Sequence, residues 1–255
     1  MQTLDLGTQH LVCTVEDRVM RVRLDRLERK NACTQAMYRG LKRAAILADG
    51  DPELDLVVLT GTGDWFGSGG DMSGDSEDPE GLAQELDPTD HFPFRHFERC
   101  RKVLLAAVNG GCHAGALNLV MYCDLAIASS QAHFRVPELL RGAPDPFMAA
   151  RLAEYVGIGV ARYLFFTAQR FDAQEALAMG LIGRVVPHAD FEAEVERAIE
   201  QIKKTGPRSR AMVKDDINAR LPSPDFNMFK RAIMSPEMIE GMKAFLERRD
   251  PNWPR

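Results

Sequence analysis

Short apolar runs that alternate with predicted helices constrain the fold of this chain more than any other feature of its sequence. Residues 54–60 form one such run, whose length and valine content predict a buried strand, and residues 104–109 and 125–129 predict two more. A helix is predicted over residues 34–48, where Thr34 can serve as the N-cap. Further helices are predicted before and after the second strand. This alternation indicates an α/β fold with a largely parallel sheet.

The two ends of the chain carry other patterns. Residues 11–16 and 19–24 alternate apolar and polar side chains and predict a β-hairpin. Helical patterns dominate the last hundred or so residues, where a strand is predicted at residues 182–186. We therefore expect a core over residues 1–190 that carries the functional site. Residues 191–255 are expected to form a helical region that serves packing or assembly.

Composition and charge exclude several classes of protein. The formal net charge of the 255 residues is −5, whereas a surface that follows nucleic-acid phosphates needs a clear basic excess, so we expect no nucleic-acid partner. No apolar run approaches the roughly 20 residues that cross a bilayer. Residues 1–10 lack the pattern of a secretory signal, so no membrane partner is expected. The five cysteines form no C-x-x-C pair, which indicates reduced thiols and a cytoplasmic location.

Two glycine-containing turns follow predicted strands. The first, residues 64–72, contains Gly67, Gly69 and Gly70, and the second spans residues 109–118. Glycine permits positive φ angles and lets a ligand approach the backbone closely. Each turn can present a free N–H at the start of a helix, and two such donors that converge on one oxygen would form an oxyanion hole. The alternative is that both segments are only tight turns.

Several other catalytic motifs are not met by the sequence. Gly61 and Gly63 do not continue as the G-x-G-x-x-G dinucleotide fingerprint, and the G-K-[ST] sequence of a P-loop is missing. Ser68 lies between two glycines, but the G-x-S-x-G nucleophile elbow would require glycine where Phe66 stands. The histidines do not form an H-E-x-x-H pattern, so we expect neither a metal nor a redox cofactor.

Five segments of the chain, in order, resemble motifs of the crotonase superfamily, which contains the enoyl-CoA hydratases and isomerases. The segments are residues 24–32, 66–72, 105–128, 134–138 and 173–186. They resemble the family's LNRP-x-x-x-NA, FxAGADL, AAVNG…CDLxxA, F-x-x-PE and A-x-E-A-x-x-x-GLV-x-x-VV motifs, although Leu27 replaces a proline. The resemblance covers nearly the whole chain and implies a crotonase-like ββα spiral core with a C-terminal helical oligomerisation region. It also implies assembly as a homotrimer or a dimer of trimers.

The resemblance implies a set of site residues as well. The family's oxyanion donors fall on the N–H groups of Gly70 and Gly115, and one of its two catalytic glutamates falls on Glu138. Asn118 occupies the position of the other glutamate, three residues after Gly115, so both can face the same thioester. The implied substrate is an acyl-CoA thioester, whose coenzyme A is part of the substrate and not a separate cofactor.

Asn118 bears directly on the reaction. Hydration of a 2-enoyl thioester needs one group that activates water and another that moves a proton, but asparagine cannot accept a proton from water. We therefore predict chemistry with a single acid or base, Glu138. It would either move a double bond between C3 and C2 or protonate an enolate. The alternatives are a weakly active enoyl-CoA hydratase, a hydrolase or carbon–carbon cleaving enzyme that uses His113 or Asp145, and an acyl-CoA-binding subunit without turnover.

Additional residues of the first half are assigned to substrate binding. Arg26 and Lys30 can bind the phosphates of coenzyme A or be ordinary surface charges. Phe66, Ser68 and Asp71 belong to the first turn, and Asp71 is also well placed to cap a helix.

Residues after the first turn are assigned to the site as well, and His113 and Asp145 each have a purely structural alternative. The acidic, turn-rich residues 74–93 are predicted to be mobile, and residues 74–100 to build the acyl pocket. His113 can approach the site or be a hydrogen-bonded turn residue, and Asp145 can approach it or be the N-cap of the next helix.

Overall fold

The computed structural model of the protein describes residues 1–73, 92–233 and 235–254. Strands and helices alternate through most of this length. The strands are β1 (Gln2–Leu4), β2 (Leu11–Glu16), β3 (Val19–Leu24), β4 (Leu56–Gly61), β5 (Trp65–Gly67), β6 (Val103–Val108), β7 (Gly111–His113), β8 (Leu125–Ser129), β9 (His133–Arg135), β10 (Arg170–Asp172) and β11 (Arg184–Val186). The α-helices are α1 (Gln35–Gly50), α2 (Phe94–Arg99), α3 (Gly115–Met121), α4 (Pro146–Val156), α5 (Ile158–Thr167), α6 (Ala173–Ala178), α7 (Phe191–Lys203), α8 (Pro207–Asn218), α9 (Phe226–Ala232) and α10 (Pro236–Glu247).

The larger sheet has the strand order β1-β2-β3-β4-β6-β8-β11. Strands β2 and β3 form the predicted antiparallel hairpin, with Leu11 opposite Leu24. From β3 onward all neighbours are parallel, for example Val58 beside Leu105 in β4 and β6. The predicted hairpin and the predicted parallel sheet are both confirmed.

Both faces of the larger sheet are covered, which explains why its central strands β4 and β6 are mostly apolar. Val57 and Leu59 of β4 belong to the apolar cluster that includes Leu41 of α1. Leu56 and Val58 belong to a second cluster with residues of α7. Successive side chains of a strand point to opposite faces, so a strand between two helical layers must be apolar at every position.

A smaller sheet, of order β10-β9-β7-β5, lies next to the turns that carry the glycines. Strand β4 continues into β5, β6 into β7 and β8 into β9, and each of these pairs is followed by a turn or a helix. Strands β5, β7 and β9 are parallel to one another. This repeated strand–strand–helix unit is the ββα spiral core that the resemblance implied, and the predicted α/β fold class is confirmed.

Several local predictions can be compared with the structure. The hydroxyl of Thr34 accepts a 3.2 Å hydrogen bond from the amide of Met37, so the predicted cap of α1 is confirmed. The strand predicted at residues 182–186 is shorter and begins at Arg184. The helix that Asp71 was expected to cap and the acidic segment predicted to be mobile fall almost wholly on residues outside the described ranges.

The C-terminal region packs against the core through ion pairs in which one partner is buried. Lys214 of α8 donates to the carboxylate of Asp124 at 2.8 Å and to the carbonyl of Lys102 at 3.1 Å. Arg210 of the same helix pairs with the buried Asp55 next to β4. The division into residues 1–190 and 191–255, and a role of the second part in assembly, stay predictions. No helix within the described residues is long and apolar enough to cross a membrane.

Candidate active site

A cavity of about 800 Å³ opens between the two glycine turns, the first turn of α4 and the C-terminal end of α10. Its wall includes most of the residues that were predicted to form the site. These are Lys30, Ser68, Gly70, Asp71, His113, Gly115, Asn118, Glu138 and Asp145. The structure therefore brings together residues that are more than a hundred positions apart in the chain.

The first turn is held by a short β-bridge between Cys33 and Gly70. The amide of Cys33 donates to the carbonyl of Gly69 at 2.8 Å, and the amide of Asp71 donates to the carbonyl of Cys33 at 2.8 Å. These two bonds use the peptide groups on either side of Gly70. The amide of Gly70 itself donates no backbone hydrogen bond within the described part of the chain.

The second turn brings Gly115 beside Gly70. A Cβ atom on Gly115 would lie 3.6 Å from the amide nitrogen of Gly70. Gly69 has a φ of +100°, and a Cβ atom there would lie 2.7 Å from the Cβ of Ala114 and 3.1 Å from the amide nitrogen of Gly115. Glycine is therefore required at position 69 both for its backbone conformation and for the approach of the two turns. Like that of Gly70, the Gly115 amide donates no hydrogen bond within the residues that the structure describes.

Tyr38 of α1 also reaches these amides. Its hydroxyl lies 2.8 Å from the position that a Cβ atom on Gly115 would occupy and 3.6 Å from the corresponding position on Gly70. Burial raises the pKa of the Tyr38 phenol well above its ordinary value, so the hydroxyl keeps its proton. The sequence predicted only the apolar stripe of α1, and no motif marked Tyr38.

Glu138 begins a 3₁₀ turn directly after Pro137 and is almost fully buried. Among the described residues, neither carboxyl oxygen of Glu138 has a hydrogen-bond partner. Burial, followed by the nearby charge of Asp145, raises the pKa of Glu138 to about 8. A carboxyl group with such a pKa can both release and accept a proton near neutral pH.

Asn118 and Asp145 are joined by a hydrogen bond. The side-chain nitrogen Nδ2 of Asn118 donates to Oδ2 of Asp145 at 2.6 Å. The other oxygen, Oδ1 of Asp145, accepts from the amides of Phe147 at 2.8 Å and Met148 at 3.0 Å, and so caps α4. The predicted N-cap is confirmed, and Asp145 also lines the cavity. Oδ1 of Asn118 is buried and has no partner within the described residues.

His113 points to a different group of side chains. Its Nε2 lies 2.9 Å from Nδ1 of His133, and its ring packs edge-on against Trp65 at 5.0 Å. Burial, together with the charges of neighbouring basic groups, lowers the pKa of His113 to about 3, so the ring is neutral at physiological pH. These contacts fit the hydrogen-bonded turn residue of the sequence analysis better than a catalytic group. Lys30 also lies near Trp65, with its Nζ 4.9 Å from the ring centroid.

Two residues that were assigned to substrate binding do not line the cavity. Arg26 is only 4% exposed, does not line the cavity, and forms a buried ion pair with Asp71. Its guanidinium group binds Asp71 and so stabilises the first turn, and it is not positioned to bind a phosphate. Phe66 is fully buried in the core and does not line the cavity either. Both side chains are buried against other parts of the protein, which the spacing of the motifs does not reveal.

The wall of the cavity also contains a cluster of four phenylalanines, of which two lie within residues 74–100, the segment predicted to build the acyl pocket, and two lie outside it. They are Phe92, Phe94, Phe147 and Phe226. The rings of Phe94 and Phe147 are 4.6 Å apart, and those of Phe147 and Phe226 are 5.5 Å apart. These residues come from distant segments, so no local pattern could have grouped them.

A second cavity, of about 780 Å³, lies between α8 and the strand ends near Val103 and Leu125. Its wall contains charged groups that already pair with one another, such as Glu98 with Arg151 and Asp124 with Lys214. We therefore place the candidate site at the first cavity, where Glu138 and Oδ1 of Asn118 are buried without a hydrogen-bond partner among the described residues.

Comparison with protein families gives a match over nearly the whole chain. A family model described as Enoyl-CoA hydratase/isomerase matches residues 14–255. The match contains both glycine turns and the segments of Asn118 and Glu138.

Individual proteins agree with that match. A crotonyl-CoA hydratase of Syntrophomonas wolfei is 30% identical over 257 residues, which cover 97% of this chain and 99% of the relative. Enoyl-CoA delta isomerase 2 of Homo sapiens is 27% identical over 255 residues, which cover 95% of this chain and 64% of that protein. The crystal structure of an enoyl-CoA hydratase from Mycobacterium avium subsp. paratuberculosis K-10 superimposes with a TM-score of 0.84 at 28% identity, covering 96% and 99% of the two chains.

Proposed function

This chain belongs to the enoyl-CoA hydratase/isomerase family, and from that premise we propose that it isomerises a 3-enoyl-CoA thioester to the 2-enoyl isomer. One observation carries the proposal. Glu138 is the only carboxyl group described in the cavity wall whose two oxygens both lack a hydrogen-bond partner. It shares that cavity with the amides of Gly70 and Gly115, which donate no hydrogen bond within the described ranges.

The two amides would bind the thioester oxygen. When a proton leaves C2, negative charge accumulates on this oxygen, and two N–H donors fixed in advance stabilise the resulting enolate. Loss of one such donor typically slows a reaction by about 10²–10³-fold. Tyr38 adds a protonated hydroxyl next to the same amides.

Glu138 would move the proton. As a carboxylate it takes a proton from C2, and the electron pair of the C–H bond enters the enolate. The double bond between C3 and C4 then moves to C2 and C3 as the same carboxyl group returns a proton to C4. The raised pKa of Glu138, about 8, makes it a stronger base than an exposed glutamate.

Asn118 would take part without exchanging protons. Its amide cannot accept a proton at the pH of the cell, so its role is to orient the substrate or a water molecule. The hydrogen bond to Asp145 holds its side chain in one orientation. This arrangement supports single acid/base chemistry.

Hydration of a 2-enoyl-CoA is the second candidate. Two observations favour it: Oδ1 of Asn118 is buried without a partner among the described residues and could accept a hydrogen bond from water, and a relative at 30% identity is named a crotonyl-CoA hydratase. Hydrolysis or carbon–carbon cleavage through His113 or Asp145 has less support, because both side chains are already engaged with other groups of the protein. A binding subunit without turnover would have little use for a buried carboxyl group such as Glu138 in the cavity wall.

The two leading reactions can be separated with one enzyme preparation. A 3-enoyl-CoA and the corresponding 2-enoyl-CoA are supplied in turn. Formation of the conjugated thioester is followed by its ultraviolet absorbance, and addition of water by mass spectrometry. Our proposal requires conversion of the 3-enoyl ester to be faster than hydration of the 2-enoyl ester. Faster hydration would establish the second candidate, and unchanged esters with measurable binding would establish the binding subunit.

We further propose a cytoplasmic homotrimer or dimer of trimers that needs no cofactor beyond the coenzyme A of its substrate. Exposed apolar side chains support assembly, among them Met212 and Ile217 of α8 and Leu246 of α10. The five cysteines are buried as free thiols, which supports a reducing compartment. Light scattering of the purified protein tests the assembly, because a monomer at micromolar concentration would contradict it.

A further inference from the structure

We propose that Asp145 is a positioning residue with two effects. It fixes the side-chain amide of Asn118 so that Oδ1 of Asn118 is turned away from Asp145, and it keeps a negative charge next to Glu138. This inference deepens the proposed function and rests on it. Asp145 would not touch the reacting atoms, and its effect would pass through Asn118 and Glu138.

The carboxylate of Asp145 is held from two sides. Oδ1 accepts the amides of Phe147 and Met148, at 2.8 and 3.0 Å, and Oδ2 accepts Nδ2 of Asn118 at 2.6 Å. The residue itself lies between Pro144 and Pro146, which restrict the backbone on both sides. Asp145 is therefore a rigid acceptor in the wall of the cavity.

This rigidity decides which way the Asn118 amide faces. An ionised carboxylate only accepts hydrogen bonds, so the NH₂ group of Asn118 must point to Asp145. Oδ1 of Asn118 consequently points elsewhere, and it is buried without a partner within the described residues. A buried carbonyl oxygen without a partner is unfavourable unless a ligand supplies a donor. We infer that Oδ1 of Asn118 receives a hydrogen bond from bound substrate or water.

The same contacts decide which of the two buried carboxyl groups carries the charge. Asp145 accepts three hydrogen bonds, whereas Glu138 accepts none from the described residues. Hydrogen bonds to a carboxylate stabilise its charged form, so the charge lies on Asp145 and the proton on Glu138. Burial raises the pKa of both groups, and the charge of Asp145 raises that of Glu138 further.

Two other titratable groups described near Glu138 act differently. The charge of Arg141 lowers the pKa of Glu138, but less than burial and Asp145 raise it. Tyr38 stays protonated because burial raises the pKa of its phenol. The charge of Asp145 also raises the pKa of Tyr38, but less than burial does, so the phenol stays neutral when Asp145 is replaced and a shift in the titration of Glu138 can be assigned to Asp145.

The test compares two helix N-caps. Asp145→Asn removes the charge and presents an NH₂ group or an oxygen to Asn118, while asparagine remains a good N-cap. Asp172→Asn is the matched control, because Asp172 also caps a helix, α6, with its carboxylate but is exposed and does not line the cavity. Thermal unfolding of both variants checks that they are folded. Asp145→Ser, which also preserves a capping oxygen, replaces Asp145→Asn if that variant does not fold.

The first measurement needs no turnover. The carboxyl band of Glu138 is followed by infrared difference spectroscopy as a function of pH in substrate-free protein, and the band is assigned by its loss in Glu138→Gln. We expect Asp145→Asn to lower the midpoint of Glu138 by about one pH unit, the effect of removing a nearby like charge. Asp172→Asn is expected to leave the midpoint unchanged. An unchanged midpoint in folded Asp145→Asn would overturn the proposed charge distribution.

The second measurement concerns the orientation of Asn118. We expect kcat for the 3-enoyl-CoA to fall by at least about tenfold in Asp145→Asn while KM stays close to the wild-type value. In an Asn118→Ala background the same replacement should have a much smaller effect on kcat, because the two residues act as a unit. Fully additive effects would overturn the link through Asn118. If the wild-type protein does not isomerise the ester but the infrared midpoint still moves, the proposed function fails while the role of Asp145 at Glu138 stands.

Discussion

The hydroxyl group of Tyr38 lies 2.8 Å from the position that a Cβ atom on Gly115 would occupy. Position 115 can therefore hold no side chain unless Tyr38 moves. A side chain there would push the second glycine turn, and with it the amide of residue 115, away from Tyr38. The two residues come from α3 and α1, so the contact joins the second glycine turn to the helix that follows the hairpin.

Gly115→Ala tests this contact. We expect the added methyl group to displace the turn from Tyr38 and to remove one of the two amide donors, with a loss in kcat/KM of about 10²–10³-fold. Tyr38→Phe deletes the hydroxyl that the methyl group would meet, so the double variant should recover part of the lost activity. Steady-state kinetics on a 3-enoyl-CoA measures both effects.

Gly50→Ala is the control for this prediction. A Cβ atom on Gly50, at the end of α1, would meet no atom within 4 Å. Activity should be unchanged, and the helix should gain about 0.5–1 kcal/mol of stability. No recovery in the Tyr38→Phe double variant would show that the clash is not the cause of the loss.

Replacement of the acid/base residue should separate Glu138 from Asn118. We expect Glu138→Gln to abolish turnover of the 3-enoyl-CoA, because glutamine has a similar shape but cannot exchange a proton. Asn118→Ala should keep measurable activity, since its role is orientation. Glu53→Gln, at an exposed position outside the cavity, serves as the control. Near-complete activity in Glu138→Gln would remove this residue from the mechanism.

The pH dependence follows from the raised pKa of Glu138, about 8. Proton abstraction needs the carboxylate, so kcat/KM should rise with pH and level off above pH 8. Below pH 8 it should fall about tenfold for each pH unit. A rate that is flat between pH 6 and 9 would contradict a carboxyl group with this pKa as the base.

The same group gives a prediction for stability. The folded protein keeps a proton on Glu138 up to a pH of about 8, whereas the unfolded chain releases it near the ordinary value of 4.5. The folded state thus binds more protons between these values, and the free energy of unfolding should fall as pH rises through that range. Glu138→Gln should remove this part of the pH dependence, as chemical denaturation at pH 5 and pH 8 would detect.

Buried and exposed ion pairs should contribute differently to stability. Lys214 is 8% exposed and pairs with the more exposed Asp124, so Lys214→Ala removes a buried cation together with its charged hydrogen bond and should cost about 1.5–3 kcal/mol. Arg220 pairs with Asp216 on the surface, and Arg220→Ala should cost less than about 1 kcal/mol. Denaturant unfolding of both variants measures the difference. Equal losses would mean that the Lys214 pair does not anchor α8.

Local patterns of the sequence were sufficient for the framework of the protein. The alternation in residues 11–24 predicted the hairpin, the apolar runs predicted the parallel strands, and Thr34 marked the start of α1. These features depend on backbone periodicity and on hydrogen bonds between residues close in the chain, which a sequence displays directly. The motifs likewise identified Gly70, Gly115 and Glu138 as positions that face one cavity.

Tertiary structure alone decided the partners of the polar groups. Arg26 pairs with Asp71, 45 residues away, and is not free for a phosphate. Asn118 bonds to Asp145, 27 residues away, and Tyr38 reaches Gly115 from another helix. Such contacts depend on how strands and helices pack against one another, and a side chain's direction within a turn is set by that packing. The sequence by itself therefore determined the scaffold and its glycine turns, whereas only the folded chain determined which buried groups are satisfied and which remain available for chemistry.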